Sequence, residues 1–113
     1  MSMEIDAIKR QGVVVLSLIG RLDSNTAPSL EERLKGLMGA GETLFVLDFD
    51  KLDYISSAGL RVLINAAKEL KCDNGQLCLC SIRDYIREVF DIFGLTRFFP
   101  THPTVKDSLK FCH

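Results

Sequence analysis

Three things are scarce in this sequence, and each scarcity removes a class of function. Long apolar runs are the first. The longest uncharged stretch, Gln11–Gly20 (QGVVVLSLIG), is well short of the roughly 20 residues that a bilayer-spanning helix needs. The opening residues MSMEIDAIKR are charged and alternating, so they lack the basic-then-apolar plan of a signal peptide. The chain is therefore expected to be cytoplasmic, with no direct membrane insertion. Charge excess is the second: 14 Lys and Arg stand against 15 Asp and Glu, a net charge of −1. That balance argues against nucleic acid or an anionic membrane as the main partner. Histidine is the third. There are two, His102 and His113, both far in sequence from Cys72, Cys78 and Cys80. No pair among the four cysteines, Cys112 included, forms CxxC, so no metal site is expected. Cys78 and Cys80 flank Leu79 in an apolar run and should share one face of a strand as buried free thiols.

What is present fits an ordinary globular protein. The chain has 113 residues, 47% of them hydrophobic and 26% charged. That is enough for one hydrophobic core, and residues 1–113 read as a single domain with no repeat and no linker. Residues 4–10 alternate like an edge strand. Gln11-Gly12 offers a tight turn, and Val13–Ile19 is a nearly continuous apolar run of the kind a central strand buries on both faces. Pro28 suits the first turn of a helix that continues through Leu30, Leu34, Leu37 and Met38. Thr43–Phe49 reads as a strand. Helical spacing returns at Leu60, Leu63, Ile64, Ala67 and Leu70, then comes a strand over Gln76–Cys80. A shorter helix over Arg83–Phe93 should turn Tyr85, Ile86, Val89, Phe90 and Phe93 inward. Phe98-Phe99 suggests a short edge strand, and Pro103–Cys112 a last helix using Val105, Leu109 and Cys112. The order β-β-α-β-α-β-α-(β)-α predicts an α/β fold, with a mixed, mostly parallel sheet of four or five strands packed against about four helices.

Two chemical readings fail on missing residues. Gly36–Thr43 (GLMGAGET) approaches the phosphate loop GxxxxGK[ST], but Glu42 replaces the lysine and would repel phosphate. It also follows a helix and leads into a strand, the reverse of the required order. Ser57 lies on a strand-to-helix turn like a nucleophile elbow, yet neither Ser56 nor Ser57 has Gly two residues before it. With no placed histidine to act as base, the chain is not expected to be an enzyme, and no cofactor is implied. The serine pair in DYISSAGL (53–60) keeps two compatible readings. Ser56 or Ser57 caps the following helix, worth about 1 kcal/mol. One of the hydroxyls also receives a phosphate, which a helix N-terminus accommodates through its unpaired N–H groups and dipole.

The run LDFDKLDYISSAGLRVLINAAKEL resembles the STAS domain of bacterial anti-sigma factor antagonists. Gly20-Arg21-Leu22-Asp23, followed by Ala27 and Leu30, is similar to that family's G-x-L-D-x-x-x-A-x-x-L segment. Ile92-Phe93-Gly94-Leu95 with Phe98 is similar to its late helix end and the short strand that follows. The resemblance covers almost the whole chain. It implies a STAS fold and a partner-switching role in transcription regulation: the unphosphorylated protein binds an anti-sigma factor serine kinase and releases the sigma factor. It assigns the phosphate acceptor to Ser57, with Ser56 the second choice. Ser56 stands where the best-known antagonists carry Asp, and Ala58 where they carry a second Ser or Thr. Asp23 matches the loop aspartate near the phosphorylation site. Gly59, Leu60 and Arg61 complete the docking environment, with Leu60 and Arg61 as candidates for the surface itself. A PP2C-type serine phosphatase would reverse the modification. STAS domains also serve as scaffolding, lipid-transport and anion-transport accessory domains, which is the alternative role. A flavodoxin-like nucleotide-binding protein is a more distant one, weakened by the absent phosphate loop.

Overall fold

The computed structural model describes residues 3–112. Strands β1 (Glu4–Arg10) and β2 (Val13–Leu22) form the antiparallel hairpin, closing with Arg10 opposite Val13. Both turn residues have positive φ, 55° at Gln11 and 80° at Gly12, the backbone twist that a two-residue hairpin loop requires. Helix α1 (Ala27–Gly39) carries Pro28 in its first turn, as the sequence predicts, and strand β3 (Leu44–Asp48) follows. Next come β4 (Leu52–Ile55), α2 (Ser57–Cys72), β5 (Gln76–Cys80), α3 (Asp84–Ile92), β6 (Thr101–His102) and α4 (Val105–Phe111).

The sheet runs β1-β2-β3-β5-β6, and β4 pairs with β2. Every pairing after the first hairpin is parallel. The two faces of this sheet have separate covers. Val14, Leu16, Leu18, Phe45, Leu47, Leu77 and Leu79 point toward Leu30 and Leu34 of α1, Leu63 of α2, and Ile86 and Phe90 of α3. The alternate residues Val13, Val15, Val46, Cys78 and Cys80 point the other way, against Leu109 and Cys112 at α4. The continuous apolar run of β2 is thus buried on both faces, and Cys78 and Cys80 do share one.

Three details differ from the sequence reading. The described sheet has six strands rather than four or five, and the added one is β4. It joins the far end of β2 past a register shift between Gly20 and Arg21. The edge strand expected at Phe98-Phe99 lies instead at Thr101–His102. Phe99 is buried against Phe90, with ring centroids 6.0 Å apart, and the backbone reaches β5 only from Pro100 onward. Tyr85 and Phe93 do not turn inward; they are 49% and 61% exposed. Helix α3 stops at Ile92, and Gly94 with φ 67° turns the chain away, so Phe93 leaves the buried stripe set by Ile86 and Phe90.

Candidate functional site

The site lies at the carboxyl ends of two adjacent parallel strands, β2 and β4, where loops are free to present side chains. The last pair in that ladder is Leu22 with Ile55. One step further, the Ser56 N–H donates to the Leu22 carbonyl at 2.9 Å. This bond sets the start of α2 beside the loop that opens with Asp23.

The two serines have different tasks. Ser56 is the N-cap, with extended backbone (φ −103°, ψ 173°), and its Oγ accepts the Gly59 N–H at 3.4 Å. That bond answers one of the donors left unpaired in a first helical turn. Ser57 is the first helical residue and is exposed. No acidic residue stands in the first turn of α2, so the positive end of its dipole is uncompensated.

Ala58 is half-buried and Gly59 is buried. A Cβ on Gly59 would lie 2.6 Å from Leu22 Cγ and 3.1 Å from Ile55 Cγ1, so glycine lets α2 seat directly on the β2–β4 seam. Leu60 is only 5% exposed; it is core rather than free surface, although it floors the groove described below. Arg61 is exposed, as expected.

Asp23 organises its own loop. Its Oδ1 accepts the backbone N–H groups of Asn25 at 2.9 Å and Thr26 at 3.2 Å. Thr26, 6% exposed, donates its hydroxyl to the Arg21 carbonyl at 2.7 Å, while its Oγ1 accepts the Asp23 N–H at 2.9 Å. Desolvation pushes the Asp23 carboxyl upward. The Asn25 and Thr26 N–H groups, the Thr26 hydroxyl and the Arg21 guanidinium outweigh it, and the pKa falls below its ordinary value. Arg21 sits 3.8 Å from Asp23 Oδ2 and stacks 4.2 Å from the Tyr54 ring centroid.

An open groove of about 530 Å³ runs from Ser57 along α2, past Leu60, Arg61, Ile64 and Lys68, to Phe93 and Leu95. Phe93, 61% exposed, and Leu95 make its far wall an apolar surface. The sequence reading found the serine end and missed this wall. The available signal was Phe93-Gly94, a large apolar residue at the end of a helix that the glycine closes, where the buried stripe has already run out.

Residues 4–108 match the family model for the STAS domain. The chain is 42% identical over 98 residues to BtrV of Bordetella bronchiseptica, which carries the name of an anti-sigma factor antagonist; the match covers 87% of this chain and 84% of BtrV. It is 30% identical over 95 residues to the anti-sigma-B factor antagonist of Bacillus subtilis, covering 84% of this chain and 86% of that protein. Among solved structures, an anti-sigma factor antagonist from Mycobacterium paratuberculosis superposes with a TM-score of 0.89 at 25% identity, over 97% of this chain and 93% of that one. The unphosphorylated form of the antagonist SpoIIAA shares the fold at a TM-score of 0.74 and 19% identity, over 96% and 94% of the two chains.

Proposed function

The chain belongs to the STAS domain family, and from that premise we propose that it is an anti-sigma factor antagonist switched by phosphorylation of Ser57. Residues 1–113 act in this reading as one STAS domain. The unphosphorylated protein docks through the start of α2 and the adjoining groove onto an anti-sigma factor serine kinase, which then releases its sigma factor. Bound ATP and its metal belong to that kinase, and the present chain is its substrate. A PP2C-type phosphatase restores the hydroxyl.

The observation that supports this reading best is the split between the two serines. Ser56 holds the helix cap, so Ser57 can change chemically without removing it. A phosphate on Ser57 adds about −1.5 to −2 charges at a helix N-terminus that tolerates an anion. The fold is retained while the docking face changes. An interface shaped around a neutral hydroxyl would have to desolvate or pair a dianion, and that cost weakens the complex. Among the described residues no helix is long and apolar enough to cross a membrane.

The test is incubation with a cognate anti-sigma kinase and ATP, followed by phosphopeptide mass spectrometry. One phosphate is expected, on Ser57. Phosphate confined to residues outside 56 and 57, or none, would overturn the assignment.

A further inference from the structure

On the face of the sheet away from Ser57, two thiols converge from different elements. Cys78 lies in the middle of β5, and Cys112 closes α4 as its C-cap. Their sulfurs are 3.1 Å apart, and the residues are 0% and 2% exposed. A disulfide bond is about 2.05 Å long, so the two sulfurs need to approach by only about 1 Å. We propose that Cys78 and Cys112 form a reversible dithiol–disulfide site that fastens α4 to β5 under oxidising conditions.

The other cysteines do not compete for this role. Cys72 is exposed at the end of α2. Cys80 shares a strand face with Cys78 but lies two residues along, about 6.6 Å in an extended strand, where adjacent same-face side chains point in parallel rather than toward each other. Burial and the Asp48 carboxylate push the Cys80 thiol up to about 12, which keeps it protonated. Within the pair, Cys112 donates its own hydrogen to Gln76 Oε1 at 3.5 Å, since an amide oxygen only accepts, which leaves Cys78 to donate across the S···S contact; that raises Cys78 and lowers Cys112. Cys112 is therefore the thiol that ionises first and attacks first.

With a low-molecular-weight disulfide such as glutathione disulfide as oxidant, the chemistry balances in two exchanges. The Cys112 thiolate attacks one glutathione sulfur and expels glutathione thiolate. Cys78 then loses its proton and attacks the Cys112 sulfur of the mixed disulfide, expelling the second glutathione thiolate. Two protein thiols become one disulfide, and one glutathione disulfide becomes two glutathione thiols. Access to Cys112 comes from opening of α4, a seven-residue helix at the edge of the fold. The resulting cross-link spans 34 residues and encloses α3, Phe93 and α4. It therefore restrains the segment that walls the groove beside Ser57 without touching the serine.

The experiment equilibrates the full chain in glutathione buffers of graded ratio, quenches with acid, and reads intact mass and melting temperature. Oxidation should remove about 2 Da, for two hydrogens, and raise the melting temperature by on the order of 10 °C, with both effects reversed by dithiothreitol. Trypsin should then yield residues 72–83 linked to residues 111–113, with fragmentation placing the bond on Cys78. Cys72→Ser should keep the mass loss and Cys112→Ser should abolish it. A bond through Cys72 or Cys80, glutathione retained on Cys112 without closure, or no loss of hydrogen at the most oxidising ratio would each overturn the proposal. The wild-type peptide map decides the matter even if Cys112→Ser fails to fold.

Discussion

Replacing Gly59 by alanine should destabilise the protein, although the same change usually stabilises a helix. Gly59 sits in the first turn of α2, where glycine costs about 0.5–1 kcal/mol relative to alanine through backbone entropy. Against that gain stands the close approach. The new Cβ would meet Leu22 Cγ at 2.6 Å, Leu22 Cδ2 at 3.0 Å and Ile55 Cγ1 at 3.1 Å, where ordinary carbon contacts are about 3.5–4.0 Å. Neither neighbour can yield easily. Leu22 is 0% and Ile55 5% exposed, and the two are partners in the β2–β4 ladder. Relief requires lifting the first turn of α2, which pulls on the bond from Ser56 N–H to the Leu22 carbonyl. Overpacking of this kind costs about 1–3 kcal/mol, so the net change should be a loss of about 1–2 kcal/mol, or roughly 4–8 °C in melting temperature. Gly36 supplies the internal control. It is exposed within α1, and nothing lies within 4 Å of its would-be Cβ, so Gly36→Ala should gain about 0.5–1 kcal/mol. Urea titrations of both variants, with unchanged m-values, measure the two changes directly. If both shift in the same direction, the glycine in Ser-Ala-Gly-Leu is not held there by packing.

The serine pair predicts a second asymmetry. Ser56→Ala should lose about 0.5–1 kcal/mol with the cap, whereas Ser57→Ala should leave stability within about 0.5 kcal/mol and abolish phosphate uptake; denaturant midpoints and phosphopeptide analysis read both. Asp23 predicts a pH dependence. Because its folded pKa lies below the ordinary 3.8, its ionised form stabilises the folded state. That contribution is complete above about pH 5 and is lost as pH falls through the folded value. The stability gap between wild type and Asp23→Asn should therefore be widest near neutrality and close in acid, and a constant gap would refute the assignment. Phe93 is 61% exposed, so Phe93→Ala should change stability little. It should weaken binding of the proposed kinase by about tenfold or more if the groove wall is a docking anchor, as calorimetry would show.

How far the sequence could be read depends on whether a residue's fate is settled locally. The two-sided burial of β2 was legible because Val13–Leu16 leaves no polar face to expose. The hairpin was legible because Gln11-Gly12 supplies the turn itself. Strand β4 was not, since Leu52 and Ile55 are separated by exposed Asp53 and Tyr54, and what makes it a strand is the distant end of β2. Phe98-Phe99 has strand-forming side chains, but Phe99 is held by Phe90 from α3 rather than by a strand neighbour. At the site, both serines are competent caps by composition. Only the extended backbone of Ser56 and its bond from Gly59 assign the cap, and that geometry leaves Ser57 exposed. Phe93 was misplaced because helical spacing was extended one residue past the point where α3 ends.

The serine at position 56, where the family resemblance leads one to expect aspartate, has a physical consequence for the proposed switch. Serine and aspartate cap helices about equally well, so the difference between them is charge rather than stability. An aspartate at 56 would place a negative charge one residue from the acceptor. Like charges about 6 Å apart in a water-like medium repel by roughly 0.7 kcal/mol per unit pair, so a phosphate of nearly two charges would be disfavoured by about 1 kcal/mol. With Ser56 that penalty is absent, and no other acid occupies the first turn of α2. Asp23 is ionised, but its charge is offset by the Arg21 guanidinium 3.8 Å from Oδ2. On the proposed reading, phosphorylation therefore takes the centre of the docking face from neutral to dianionic, instead of adding to an existing negative charge. For a partner that must bury that centre, this is the larger relative change, so the neutral serine at 56 sharpens the contrast between the two states.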